Sequence, residues 1–228
     1  MADLFLLPGL LCDEYVWRPQ IAGLSVPCRV ADFRGFDSLT AMAQSVLDQA
    51  PQRFAVAGHS MGGRVALEIM RLAPKRVTKL ALLDTGIHPT RPGEAEKRQV
   101  LVDLADQKGM NALAKAWLPP MVHPDRTNDQ ALMAPLTAMV ERMTPEIFSK
   151  QIRALLNRRD AAPVLPTIAC PTLVAVGRQD GWSPVEQHQQ IADIIPGAKL
   201  VVFEECGHMS TVESPEAVTA ALKDWLSA

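Results

Sequence analysis

Aromatic side chains supply only 5% of the 228 residues, with a single tyrosine, and cysteine occurs four times, at Cys12, Cys28, Cys170 and Cys206. No two cysteines form a C-x-x-C pair or join a His/Cys ligand cluster, which argues against zinc and against a redox motif. Cys28 and Cys170 read as small buried hydrophobes, and Cys12 and Cys206 as packing residues beside polar loops. There is no excess of basic charge either. The 23 Lys and Arg are set against 25 Asp and Glu, for a net charge of −2, so no broad positive surface exists to bind nucleic acid. No apolar run approaches the roughly 18 residues of a membrane span, and no signal-peptide pattern precedes Leu4. The expectation is a cytoplasmic protein without a membrane or nucleic-acid partner, with monomer and homodimer both left open. Internal repeats and low-complexity segments are absent too.

The chain instead has short apolar runs alternating with amphipathic stretches. Leu4 to Leu7, Val30 to Phe33, Phe54 to Ala57, Val77 to Asp84, Leu173 to Gly177 and Leu200 to Phe203 read as strands. Helices are expected around Glu14 to Leu24, over residues 39 to 49, from Arg64 to Leu72 and from Pro215 to Leu226. Such alternation implies right-handed crossovers and a parallel sheet whose ligands bind beyond the strands' carboxyl ends. Between Asp84 and Leu173 no strand is convincing. Helical stretches near Glu94 to Lys108, Met110 to Trp117, Asp129 to Met143 and Pro145 to Asn157 make this an insertion. Its methionines, Met110, Met121, Met133, Met139 and Met143, offer adaptable apolar surface for a substrate pocket, though helical spacing favours core.

The polar signal concentrates at strand ends. Gly58-His59-Ser60-Met61-Gly62-Gly63 joins an apolar strand to a helix with glycines two residues either side of Ser60. That spacing fits a turn so tight that side chains beside the serine are excluded. Ser60 Oγ would then project at a helix N-terminus, where backbone N–H groups favour developing negative charge. In Pro8-Gly9-Leu10, Gly9 permits close approach of the backbone and leaves the Leu10 N–H free to donate.

A serine hydroxyl needs a base, and the base needs a carboxylate to orient it. His208 follows the last strand in a loop able to reach Ser60; Asp180 follows the strand before it. Asp84, at another strand end, is the competing acid. His59 adjoins Ser60 but leaves the turn in another direction and reads as structural. His188 sits in a polar helix among Glu186, Gln187, Gln189 and Gln190 and reads as solvated, and His88 and His123 as surface residues.

In the order Ser60, Asp180, His208, these motifs resemble the α/β-hydrolase fold family over nearly the whole chain. The glycine-flanked Ser60 matches its nucleophile turn, and Gly177-x-x-Asp180-x-x-x-Pro184 its acid loop. Gly207-His208 with Glu213-Ser214-Pro215 matches its histidine loop, and Leu7-Pro8-Gly9-Leu10 with Trp17 its oxyanion loop. The resemblance implies Ser60 as nucleophile, His208 as base, Asp180 as its orienter, the N–H groups of Leu10 and Met61 as oxyanion hole, and no cofactor. It implies an α/β core over residues 1–85 and 166–228 with about six strands, two fewer than the full fold, and a helical lid over 86–165. Pro8 stands where many relatives carry histidine, so the oxyanion loop must be held in another way; Asp37 replaces a common glycine.

The implied chemistry is cleavage of a small-molecule carboxylic ester through an acyl-enzyme. The same residues serve two alternatives, a carbon–carbon bond hydrolase and a cofactor-free lyase resembling that of menaquinone biosynthesis. For the lyase, Arg64 after the double glycine would bind a substrate carboxylate, and Arg142 or Arg153 would face Ser60 as well. Trp182 and Met209, beside the acid and the base, are further candidates for substrate contact.

Overall fold

A computed structural model of the chain describes residues 3–228. Six parallel strands form one sheet: β1 Leu4–Leu7, β2 Cys28–Val30, β3 Phe54–His59, β4 Val77–Leu83, β5 Thr172–Gly177 and β6 Lys199–Phe203, in the order β2-β1-β3-β4-β5-β6. β1, β3 and β5 are buried along their whole length, as strands covered on both faces must be, whereas the edge strands β2 and β6 are partly exposed. The second strand lies earlier than the Val30 to Phe33 expected, ending at Val30 and sharing only that residue with it. Phe33 lies beyond the Leu6↔Val30 pairing and is buried by packing rather than by strand hydrogen bonds.

Helices α1 Arg18–Gly23, α2 Leu39–Gln49, α3 Met61–Leu72, α7 Val185–Ile194, α8 Ser210–Glu213 and α9 Pro215–Ser227 connect and cover the strands. α2 packs on α3, which covers β1, β3 and β4; α7 and α9 each pack on β5 and β6, and α1 lies against α9. The predicted helix at Glu14 begins instead as a 3-10 turn over Glu14–Trp17, with α1 following once Pro19 opens its first turn.

Between β4 and β5 lie α4 Glu94–Trp117, α5 Gln130–Glu141 and α6 Pro145–Leu156, with no strand. The sequence break at Lys108/Met110 is a kink inside α4, where Gly109 takes φ 79°. Asp129 caps α5 and Thr144 caps α6, each side chain accepting from a first-turn N–H. Met110, Met121, Met139 and Met143 are buried here as core. Among the described residues no helix is long and apolar enough to cross a membrane.

Register brings the strand ends together. Leu7 pairs with Gly58, His59 with Leu83 and Gly177 with Phe203, so the loops leaving β1, β3, β4, β5 and β6 emerge at one end of the sheet.

Candidate active site

Ser60 sits between β3 and α3 with φ 55° and ψ −116°, a strained conformation for a residue with a Cβ. The surroundings over-determine it. Its N–H donates to the Leu83 carbonyl at 2.9 Å, while its own carbonyl accepts from Thr85 Oγ1 at 2.7 Å and from the Gly63 N–H at 3.0 Å. A Cβ on Gly58 would meet the Gly62 carbonyl oxygen at 2.3 Å, so the turn closes only around glycine.

His208 Nε2 lies 2.8 Å from Ser60 Oγ, and His208 Nδ1 lies 2.8 Å from Asp180 Oδ2. With Nδ1–H donating to the carboxylate, Nε2 is left as the acceptor for the serine hydroxyl. Asp180 is fixed independently: Oδ1 accepts from the N–H groups of Trp182 at 2.8 Å and Ser183 at 2.9 Å, and Oδ2 from Ser183 Oγ at 3.2 Å. Burial works against ionisation of Asp180, but the adjoining His208 and these donors hold it below the usual carboxylate value. Burial likewise disfavours the His208 cation, yet the Asp180 charge and hydrogen bond lift the histidine above its ordinary value.

A residue named only as part of a motif proves to organise the histidine loop. Glu213 Oε1 accepts from the N–H groups of Gly207 and Met209, each at 3.1 Å, and Oε2 from the His123 N–H at 2.7 Å. The N–H of His208 donates to the Met121 carbonyl at 2.9 Å. The loop after β6 is thereby tied to the segment between α4 and α5.

Asp84 is not the histidine's partner. It is fully buried at the end of β4, accepting from the Gly177 N–H at 3.0 Å and contacting Ser210 Oγ, with His59 Nε2 3.7 Å away. Burial, and then the charge of Asp180, push its carboxyl well above the usual range. A carboxyl raised in the fold contributes stability that is complete below its unfolded value and is lost as pH rises through the folded one. Asp84→Asn, isosteric with the protonated acid, is therefore expected to gain on wild type progressively as pH rises from about 4 toward 9. Melting curves across that range check this; a variant that loses ground at alkaline pH contradicts it.

His59 is buried as well, its Nε2–H donating to the His208 carbonyl at 2.8 Å, and burial drops its pKa to about 4. His188 corrects the sequence reading. It is not solvated but fully buried, with Nε2 accepting from the Thr85 N–H at 2.9 Å and Nδ1–H donating to the Pro184 carbonyl at 3.2 Å. It thereby steadies the residue that holds the Ser60 carbonyl.

The loop after β1 lies directly against the serine: a Cβ on Gly9 would be 3.2 Å from Ser60 Cβ. The Cys12 N–H closes a turn on the Gly9 carbonyl at 3.2 Å, with Leu11 at φ 58°. Gln151 of α6 ties this loop down. Its Oε1 accepts from the Leu11 N–H at 2.9 Å and its Nε2 donates to the Phe33 carbonyl at 3.4 Å. Gln151→Leu strands the buried Leu11 N–H and is expected to cost about 1–3 kcal/mol in urea unfolding. A change below 0.5 kcal/mol would mean another group holds the loop. Met61 opens α3, so its N–H has no acceptor within the helix, and the Leu10 N–H makes no hydrogen bond among the described residues.

The remaining candidates are dispersed. Trp182 is 48% exposed, whereas Met209 is buried with its N–H on the Met121 carbonyl. Arg142 pairs with Asp13 at 2.8 Å and Arg153 with Asp37 at 3.1 Å, both at the surface. Arg64 Nη1 donates to the His88 carbonyl at 3.0 Å. Cys12 and Cys206 are buried free thiols, pushed up by burial, and Cys28 and Cys170 are half-buried rather than fully so. Among the described residues no group of three His, Cys, Asp or Glu side chains could hold a metal ion.

Parallel sheet, strained serine turn and hydrogen-bonded Ser-His-Asp line describe one class of protein, and the chain belongs to it: the model of the alpha/beta hydrolase family matches residues 4–221. Its relatives include the pimeloyl-[acyl-carrier protein] methyl ester esterase of Photobacterium profundum, 29% identical over 99% of this chain and 94% of that protein. A 2-hydroxy-6-oxononadienedioate/2-hydroxy-6-oxononatrienedioate hydrolase of Pseudomonas sp is 27% identical over 81% of this chain and 67% of that one. Among solved structures, a thermophilic esterase from Thermogutta terrifontis superposes with a TM-score of 0.91 at 28% identity, covering all of this chain and 90% of that one. The enol-lactonase from Burkholderia xenovorans LB400 gives 0.90 at 25% identity, covering all of this chain and 92% of that one.

Proposed function

We propose that the protein is a serine esterase that hydrolyses a small-molecule carboxylic ester through an acyl-enzyme. The observation that carries this reading is the unbroken line Ser60 Oγ, His208 Nε2, His208 Nδ1, Asp180 Oδ2, with 2.8 Å at each hydrogen bond. His208 takes the Ser60 proton as Oγ attacks the ester carbonyl, and the N–H groups of Leu10 and Met61 receive the oxyanion. His208 then returns the proton to the leaving alkoxide. A water, activated by the same imidazole, releases the acid and restores the serine. Residues 86–165 act as the lid over this site, on a core of 1–85 and 166–228.

The alternatives have less support. The lyase reading needs arginines converging on Ser60, whereas Arg142 and Arg153 are occupied by surface carboxylates. Carbon–carbon hydrolysis has a relative in its favour but no residue of this site that an ester hydrolase would lack.

The test is labelling by a fluorophosphonate together with turnover of a short-chain nitrophenyl ester. Wild type should do both, and His208→Ala neither; absence of both in wild type overturns the reading. Because the base must be neutral and its pKa lies above the ordinary 6.5, kcat/KM should fall about tenfold per pH unit below an apparent pKa above 6.5. A profile flat down to pH 5 would remove His208 from the role.

A further inference from the structure

One turn along α3 from the serine, a partly enclosed cavity of about 50 Å³ opens between α2, α3 and the chain leaving α6. Its wall carries four guanidinium groups, Arg64, Arg71, Arg158 and Arg159, against two carboxylates, Glu68 and Asp160.

Most of these charges already have partners. Glu68 accepts from Thr40 Oγ1 at 2.5 Å and from Arg71 Nη2 at 2.6 Å and Nε at 2.9 Å. Arg158 grips Glu94 through Nη2 at 2.6 Å and Nη1 at 2.8 Å. Asp160 accepts from the Ala162 N–H at 3.0 Å. What remains, among the described residues, is net cationic: the guanidiniums of Arg64 and Arg159 against the Asp160 carboxylate, which no side-chain cation pairs. Arg64 has no carboxylate within ion-pair distance and only the His88 carbonyl as acceptor, while Arg159 has no hydrogen-bond partner. A partly buried guanidinium without a carboxylate partner is costly. Burial, with Arg158 and Arg98 nearby, accordingly lowers the Arg64 pKa to about 9. Ser38, Leu39 and Thr40 at the positive end of the 11-residue α2 line the same cavity.

We propose that this cavity binds a small oxyanion, a carboxylate or phosphate group, between Arg64 of α3 and Arg159 beyond α6. Planar guanidinium forks match both groups. On the same measure a single water needs about 10–15 Å³, so the space admits a few-atom group such as a carboxylate or phosphate. Bound there, the anion joins α3, which carries the serine turn, to the end of α6, which carries Gln151. The site is distinct from the Ser60 line and stands whether or not the esterase reading holds.

The experiment is thermal unfolding and calorimetric titration of the whole protein with inorganic phosphate and, separately, acetate, against chloride at equal ionic strength. The expected result is a rise in Tm of several degrees with at least one anion, and a Kd at least tenfold weaker in Arg159→Gln and in Arg64→Met. Arg159 is exposed, so its variant keeps the fold if that of the half-buried Arg64 does not. Response to phosphate alone, or to acetate alone, identifies the group the cavity takes. No rise with either anion, or an equal rise in Arg159→Gln, overturns the proposal.

Discussion

Ser60→Ala is expected to give a folded protein that turns over a nitrophenyl ester about 10⁴- to 10⁶-fold more slowly than wild type and takes up no fluorophosphonate. In the proposed mechanism the loss is large because His208 and Asp180 act only through Oγ: without it the imidazole would have nothing to deprotonate except water. Stability should barely move. Alanine keeps the Cβ, so the strain at φ 55° remains, and the Ser60 main chain keeps its bonds to Leu83, Thr85 and Gly63. Ser60→Gly, by contrast, should be as inactive and more stable by about 1 kcal/mol, as the strain is released. Full turnover in Ser60→Ala would mean that another group is the nucleophile. Inactivity with a collapsed Tm would mean that the serine is chiefly structural.

Gly62→Ala should have the largest effect on folding. A Cβ there would stand 2.0 Å from the Leu7 carbonyl oxygen, 2.5 Å from its carbon and 2.8 Å from the Pro8 oxygen. All three are backbone atoms of the first strand and its turn, and none can rotate away. Relief requires β1 and α3 to separate by about 1 Å, when overpacking in well-filled cores typically costs about 1–3 kcal/mol. We expect the upper end or beyond, a fall in Tm of roughly 10 °C at about 2–4 °C per kcal/mol for a chain of this size. The sign is opposite to helix propensity, which favours alanine over glycine by about 1 kcal/mol. A Tm at or above wild type would therefore show that the approach of β1 to α3 is not tight.

The same distinction explains what the sequence revealed. Glycines two residues either side of Ser60 encode a turn made by neighbouring residues, and α2 runs from Leu39 to Gln49 as its pattern implies, because its signals are local. Gln151 could not be found that way: its partner is 140 residues distant and its own helix offers no motif. Asp180 and Asp84 both stand at strand ends, and only the placement of the loop after β5 separates them. The burial of His188 is written in its helical spacing against the polarity of its neighbours: His188, Ile191 and Ile195 recur at that spacing and all three are buried. Phe33 misled in the other sense, since an apolar residue after a strand need not extend it.

The sheet order has a consequence in time. Ser60 lies in the third strand's turn, but Asp180 and His208, its proposed acid and base, follow the fifth and sixth strands, and among the described residues β6 is an outer strand paired only with β5. A folding chain can form β1, β3, β4 and α3 and still hold an inert hydroxyl, since contacts so distant in sequence carry the greatest closure cost. On that expectation, chemical competence waits for the docking of the last strand and the loop that Glu213 ties down. Regain of enzymatic turnover during refolding would time that docking, while helical circular dichroism would report the earlier collapse.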